Sequence, residues 1–149
     1  MNNMNLIDPK ILEEWAERIE AFSELPNIIR RLIWASCNDL KYLDMPGCEE
    51  VYLSGFDGLV NCEKGNDLVP SGLSAWEVST RKDIKKKAED DYKKRSKGKI
   101  SLDRATTSFV FVTPRKWTKF EKWVKEKKGK NEWKDVRVLC SRHLADWMD

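Results

Sequence analysis

The run "TTSFVFVT" (106–113) restricts this chain more than any other segment. Its β-branched and aromatic residues follow one another instead of alternating with polar ones. A strand of that kind hides both faces, so it belongs in the middle of a sheet covered on two sides. Pro114 ends it. The covering layers are available as amphipathic stretches. "DPKILEEWAERIEAF" (8–22) opens with Asp8 at the N-cap and Pro9 at the first helical position, and it carries Ile11, Leu12, Trp15, Ile19 and Phe22 at helical spacing. Pro26 is expected to start a second helix, "PNIIRRLIWASC", with Ile28, Ile29, Leu32, Ile33 and Cys37 on one side. Further helices are expected over 83–96, 117–128 and in the terminal "RHLADWMD" after Ser141.

Shorter β segments complete the pattern. "EVYLS" (50–54), "FDGLVNC" (56–62) and "LSAWEVST" (73–80) read as three strands, the last two joined by a punctuated loop short enough for a hairpin. "DVRVLC" (135–140) reads as the last strand. The order α-α-β-β-β-α-β-α-β-α begins antiparallel and continues in β-α-β fashion. It predicts a three-layer α/β sandwich with a mixed central sheet of about five strands. One domain is expected over 1–149, with N-terminal helices in 1–40, the α/β core in 49–140 and a terminal helix in 141–149.

Composition removes several classes. There is no apolar run of about 18 residues, so no membrane span is expected. "MNNMNLIDPK" lacks the basic start and apolar stretch of a secretory leader. Cys37, Cys48, Cys62 and Cys140 show no CxxC spacing and only one histidine, His143, accompanies them, which argues against zinc. A reduced, cytosolic protein with cysteines acting as small buried apolar residues is expected. Trp117, Trp123, Trp133 and Trp147 are assigned to packing. Charge is strongly divided: residues 1–80 hold 6 Lys/Arg against 14 Asp/Glu, whereas residues 81–137 hold 21 against 9. The basic half suits a polyanion, and it equally suits a lysine-rich solvated surface.

Two carboxylates stand in strand-like surroundings. Asp57 lies between Phe56 and Gly58, and Glu77 lies inside "LSAWEV". A desolvated carboxylate is costly unless it is paired or holds a metal. On hairpin-linked strands the two could share Mg²⁺ or Mn²⁺, hard cations that take oxygen ligands and keep waters. In the structural alternative, Asp57 caps a turn at Gly58 and Glu77 points to solvent.

The succession "GFDG…VPSGLSAWEVST…KKKAEDDYKKR…TTSFVFVTPRKW…KWVKEKK…EWKDVRVLCSRHLADWM" resembles the restriction-endonuclease-like N-terminal domain of large bacterial proteins in which it precedes a STAND-type NTPase or another sensor, often in antiphage defence. The resemblance covers roughly residues 10–149 and places the chain near the PD-(D/E)xK nucleases. It implies a metal-dependent DNA endonuclease with Asp57 and Glu77 as metal ligands and Mg²⁺ or Mn²⁺ as cofactor. It also implies double-stranded DNA as substrate, self-association, and a sensor or NTPase module in the full protein. The motif lysine is missing: Ser79 stands two residues after Glu77. Lys82 or Lys87 is then the candidate replacement, with Glu17 or Glu20 as a further acid. Lys85, Lys86, Lys94, Arg115 and Lys116 are candidates for phosphate contact. The rival expectation is a nuclease-like module that has lost catalysis and binds nucleic acid or a protein. His143 has no partner visible in the sequence.

Overall fold

The computed structural model describes residues 8–45, 56–100 and 102–148. Two helices, α1 (Pro9–Ala16) and α2 (Glu20–Ser36), lead into an antiparallel trio, β1 (Leu40–Asp44), β2 (Gly58–Cys62) and β3 (Gly72–Val78). Helix α3 (Ile84–Ser96) and a 3-10 turn (Arg104–Thr106) connect β3 to β4 (Thr107–Val112). Helix α4 (Phe120–Lys128) then leads to β5 (Asp135–Leu139), and α5 (Ser141–Met148) follows. The strands lie in the order β1-β2-β3-β4-β5. The first three pair antiparallel and the last three parallel, so β3 is where the sheet changes sense.

All six residues of β4 are buried, as a central strand covered on both faces requires. Alternating side chains feed two cores. Val60, Trp76, Val110, Val112 and Leu139 pack with α1, α2 and α5. Ala75, Phe109, Phe111, Val136 and Val138 pack with α3, α4 and a set of aromatic rings that includes Trp117, Trp123 and Trp133. Two successive crossovers running the same way across the sheet leave both connecting helices on one face. The result is the expected three-layer α/β sandwich.

The N-terminal third departs from the pattern. The strand expected at 50–54 lies outside the described residues; among the described residues the sheet begins at Leu40, nine residues before the core boundary expected from sequence. The helix expected over 8–22 stops at Ala16. The guanidinium of Arg115 explains the stop: its Nη2 donates to the Ala16 carbonyl at 3.1 Å and its Nη1 to the Glu17 carboxylate at 2.8 Å. That carbonyl would otherwise bond four residues onward. Ile19 and Phe22, read as part of a buried stripe, are consequently 93% and 63% exposed. Helix α2 starts at Glu20, so Pro26 lies inside it. Proline costs a helix one hydrogen bond. Here it is buried beside Leu25 and Ile29, and tertiary packing outweighs that loss.

Lysine-rich α4 hides one cation that its composition conceals. Lys127 is 2% exposed, bonded through Nζ to Glu89 of α3 at 2.6 Å and lying over the rings of Tyr92 and Trp123. Removing one partner of a buried pair strands the other charge, at a cost of about 3 kcal/mol. Glu89→Gln is expected to lower the unfolding free energy in urea by about that amount, and adding Lys127→Met is expected to recover most of it. A loss below about 1 kcal/mol would instead class the pair with exposed ion pairs.

Candidate functional site

Glu77 sits at the carboxyl end of β3, the strand where pairing changes from antiparallel to parallel. It follows Ala75 by two residues and therefore faces the α3 side of the sheet. Gly58 pairs with Trp76, so the next step of the same ladder sets Asp57 opposite Glu77. Asp57 is half-buried, and its Oδ2 accepts the Val78 N–H at 2.8 Å. The two carboxylates thus lie on one face, close enough for the charge of Asp57 to act on Glu77.

Helix α3 covers this pair with a stripe of ionic side chains spaced four apart. Arg95 donates through Nε to Glu77 Oε1 at 2.7 Å, with its guanidinium over the Phe56 ring. Lys87 bonds Asp91 Oδ1 at 2.9 Å. Asp91 is 7% exposed, and its Oδ2 is buried without a hydrogen-bond partner. Three carboxylates therefore face two cations in a place with little water. Burial, reinforced by Asp57, pushes Glu77 up to about 8, and Arg95 offsets this only in part. Burial, with a smaller push from Asp57, also raises Asp91 against the pull of Lys87.

Neither Asp91 nor Arg95 was assigned from sequence to the Asp57–Glu77 pair. The signal was the Lys87–Asp91–Arg95 spacing, which puts all three on one helix face. Other expectations separate from the cluster. Lys82 is exposed and pairs with Glu17 at 3.3 Å. Glu17 is engaged by Arg115 as well, so neither Lys82 nor Glu17 is held beside Glu77 by these pairs. Glu20 is exposed at the start of α2. Ser79 turns its hydroxyl to accept the Arg81 N–H at 3.1 Å. Arg115 requires a correction: it is 6% exposed, and its third bond runs from Nε to the Thr80 carbonyl at 2.6 Å. A guanidinium consumed in clamping α1 to the loops after β3 and β4 is not presented to a phosphate backbone. Lys85, Lys86, Lys94 and Lys116 are exposed.

The donor set suits a divalent cation in one respect, the orphaned oxygen of Asp91 beside two further carboxylates. Among the described residues no three His, Cys, Asp or Glu side chains converge as a ready-made metal centre. An ion here would draw on one or two carboxylates and keep waters, as Mg²⁺ commonly does. No described helix is long and apolar enough to cross a membrane. Comparison with protein-family models, curated proteins and solved structures finds no match for this chain. The fold and the cluster define an α/β protein with a largely buried group of acidic and basic side chains at the strand where its sheet changes sense.

The raised Glu77 carboxyl has a definite consequence for stability. The folded protein binds a proton there more tightly than the unfolded chain, so the contribution is complete below the ordinary carboxylate range and is lost as pH rises towards about 8. Urea midpoints of the wild type are expected to fall between pH 5 and pH 8.5 relative to those of Glu77→Gln. Parallel profiles for the two proteins would show that Glu77 titrates as an ordinary carboxylate.

Proposed function

We propose that this domain is a metal-dependent nuclease of the PD-(D/E)xK kind that hydrolyses phosphodiester bonds in DNA, and that it serves as the effector module of a larger antiphage sensor. The observation carrying this reading is the single face on which Asp57 and Glu77 meet Asp91, whose buried oxygen has no partner. Asp57 and Glu77 would hold Mg²⁺ or Mn²⁺, with Asp91 beside them. The ion would supply Lewis acidity and neutralise charge developing on the phosphate.

The chain's own groups do the rest. Lys87 reaches the cluster from α3 and is the best-supported replacement for the lysine displaced by Ser79, because its bond to Asp91 fixes its ammonium group. There it would steady the negative charge of the phosphoryl group. Arg95 pairs with Glu77, and on substrate binding its guanidinium would be released towards phosphate. Exposed Lys85, Lys86, Lys94 and Lys116 would contribute phosphate contacts that position a duplex without reading its sequence. Cutting both strands calls for two copies facing the duplex, which makes self-association part of the reading.

A second reading draws on a specific contact. Glu77 is already bonded to Arg95 at 2.7 Å, and Ser79 brings no positive charge. A nuclease-like module with its ion replaced by that guanidinium would bind nucleic acid or a protein without cleaving. Nicking of supercoiled plasmid in Mg²⁺ or Mn²⁺ separates the two. Activity is expected in the wild type, absent in Asp57→Asn and Glu77→Gln, reduced about a hundredfold in Lys87→Ala and unchanged in Lys82→Ala. Metal-independent DNA binding with no nicking by any of these proteins would favour the binding module.

A further inference from the structure

Helix α2 has one buried side. Leu25, Ile29 and Ile33 face the core against the sheet. Away from them, Glu20, Ser23, Asn27, Arg30 and Trp34 recur at steps of three and four residues, so they form one stripe, and all five are exposed. Glu24 and Arg31 lie beside them and are exposed as well.

The two halves of this stripe differ in sign. The first carries Glu20 and Glu24, the second Arg30 and Arg31. Two acids four residues apart repel within a helix. None of the four side chains forms a salt bridge among the described residues. Trp15 Nε1 donates to Glu24 Oε2 at 3.3 Å and steadies that carboxylate. The helix dipole does not account for the arginines, because the last turn of α2 holds no basic residue.

Apolar groups stand at both ends of the stripe. Ile19, whose backbone angles are already helical (φ −59°, ψ −39°), is 93% exposed, and Trp34 is 72% exposed. Trp34, Arg30 and Arg31 line, with Leu43 of β1, a cleft of about 330 Å³. Two guanidinium groups beside an indole suit a carboxylate that adjoins an aliphatic side chain. The start of α2 offers that combination as Ile19 and Glu20.

We propose that α2 is the contact face for a second copy of this chain, paired antiparallel about a two-fold axis beside Asn27. Residues equally distant from Asn27 then come level with one another. Glu24 meets Arg30 of the second copy, and Arg30 meets the second copy's Glu24. Trp34 and Glu20, seven residues either side, also come level, which brings Ile19 against the indole at the cleft. Ser23 and Asn27 are short enough to let the helices approach to about 8–10 Å. The face is small and polar, so the dimer is weak and concentration-dependent. It is also back to back: α2 packs on the sheet face opposite α3, so each Asp57–Glu77–Asp91 cluster lies on the far side of the sheet from the contact. This is not the arrangement in which two copies face one duplex, and it stands without the nuclease reading.

Sedimentation equilibrium of the intact protein, without DNA or metal, over about a hundredfold range of concentration reaching about 0.5 mM, is the test. A reversible monomer–dimer equilibrium is expected. Glu24→Arg and Arg30→Glu each set like charges opposite one another twice, and each is expected to weaken the dimer about tenfold or more. Combining the two restores opposite charges and is expected to return the affinity to within about threefold of the wild type. Trp34→Ser, a change outside the core, is expected to weaken the dimer about tenfold with the melting midpoint kept. If a charge variant loses its fold, the Trp34→Ser comparison decides alone. A wild type that stays monomeric throughout, folded single variants that dimerise unchanged, or a folded double variant no stronger than the singles would overturn the proposal.

Discussion

A carboxylate buried between a sheet and a helix dictates what that helix can present. Glu77 at the end of β3 is nearly out of contact with water, and Asp57 opposite adds a second negative charge. Helix α3 answers with Lys87, Asp91 and Arg95 on consecutive turns of one face. The helix is therefore docked by ionic geometry near its carboxylate end of the sheet and by Ala88 and Tyr92 over the aromatic core. Two cations cannot fully offset three carboxylates where solvent screening is weak. Burial is the main cause of the raised proton affinities of Glu77 and Asp91, and that uncompensated charge adds to it. A bound divalent cation would offset that charge, which ties the stability of the α3–β3 contact to the proposed chemistry.

Arg115 performs a comparable task at the carboxyl ends of the strands. One guanidinium reaches the end of α1, the carboxylate of Glu17 and the Thr80 carbonyl. Its three bonds join the N-terminal helices to the segments after β3 and β4. This fixes where α1 stops, and so where the chain turns to begin α2.

The middle and C-terminal parts of the fold were legible because local pattern and burial coincide there. The 106–113 run could be buried only on both faces, and the helices on either side of it carried enough periodicity to be recognised. The N-terminal helices were misread because their boundary is set by a residue about a hundred positions away: nothing local in 8–22 announces that Arg115 will take the Ala16 carbonyl. Strand β1 has the weak pattern of an edge, with Lys41 and Tyr42 exposed, and offers little alternation to detect. At the site, Asp57 and Glu77 stood out because acids are rare inside strands. Asp91 and Arg95 were hidden among the many charges of α3, where an ionic residue turned inward looks like its solvated neighbours. Lys127 on α4 was concealed in the same way. Arg115 was misjudged for the converse reason, since a basic residue in a loop reads as solvated until its partners are known.

The proposed chemistry depends on one requirement, that the Asp57–Glu77–Asp91 cluster take up a divalent cation. Calorimetric titration of the purified domain with Mn²⁺ tests this without reference to any substrate. One saturable site per chain is expected in the wild type, with the binding heat abolished in Glu77→Gln. Absence of saturable binding in the wild type, or an identical isotherm for the Glu77→Gln protein, would contradict it and leave the cluster as an ion-pair network that holds α3 to the sheet.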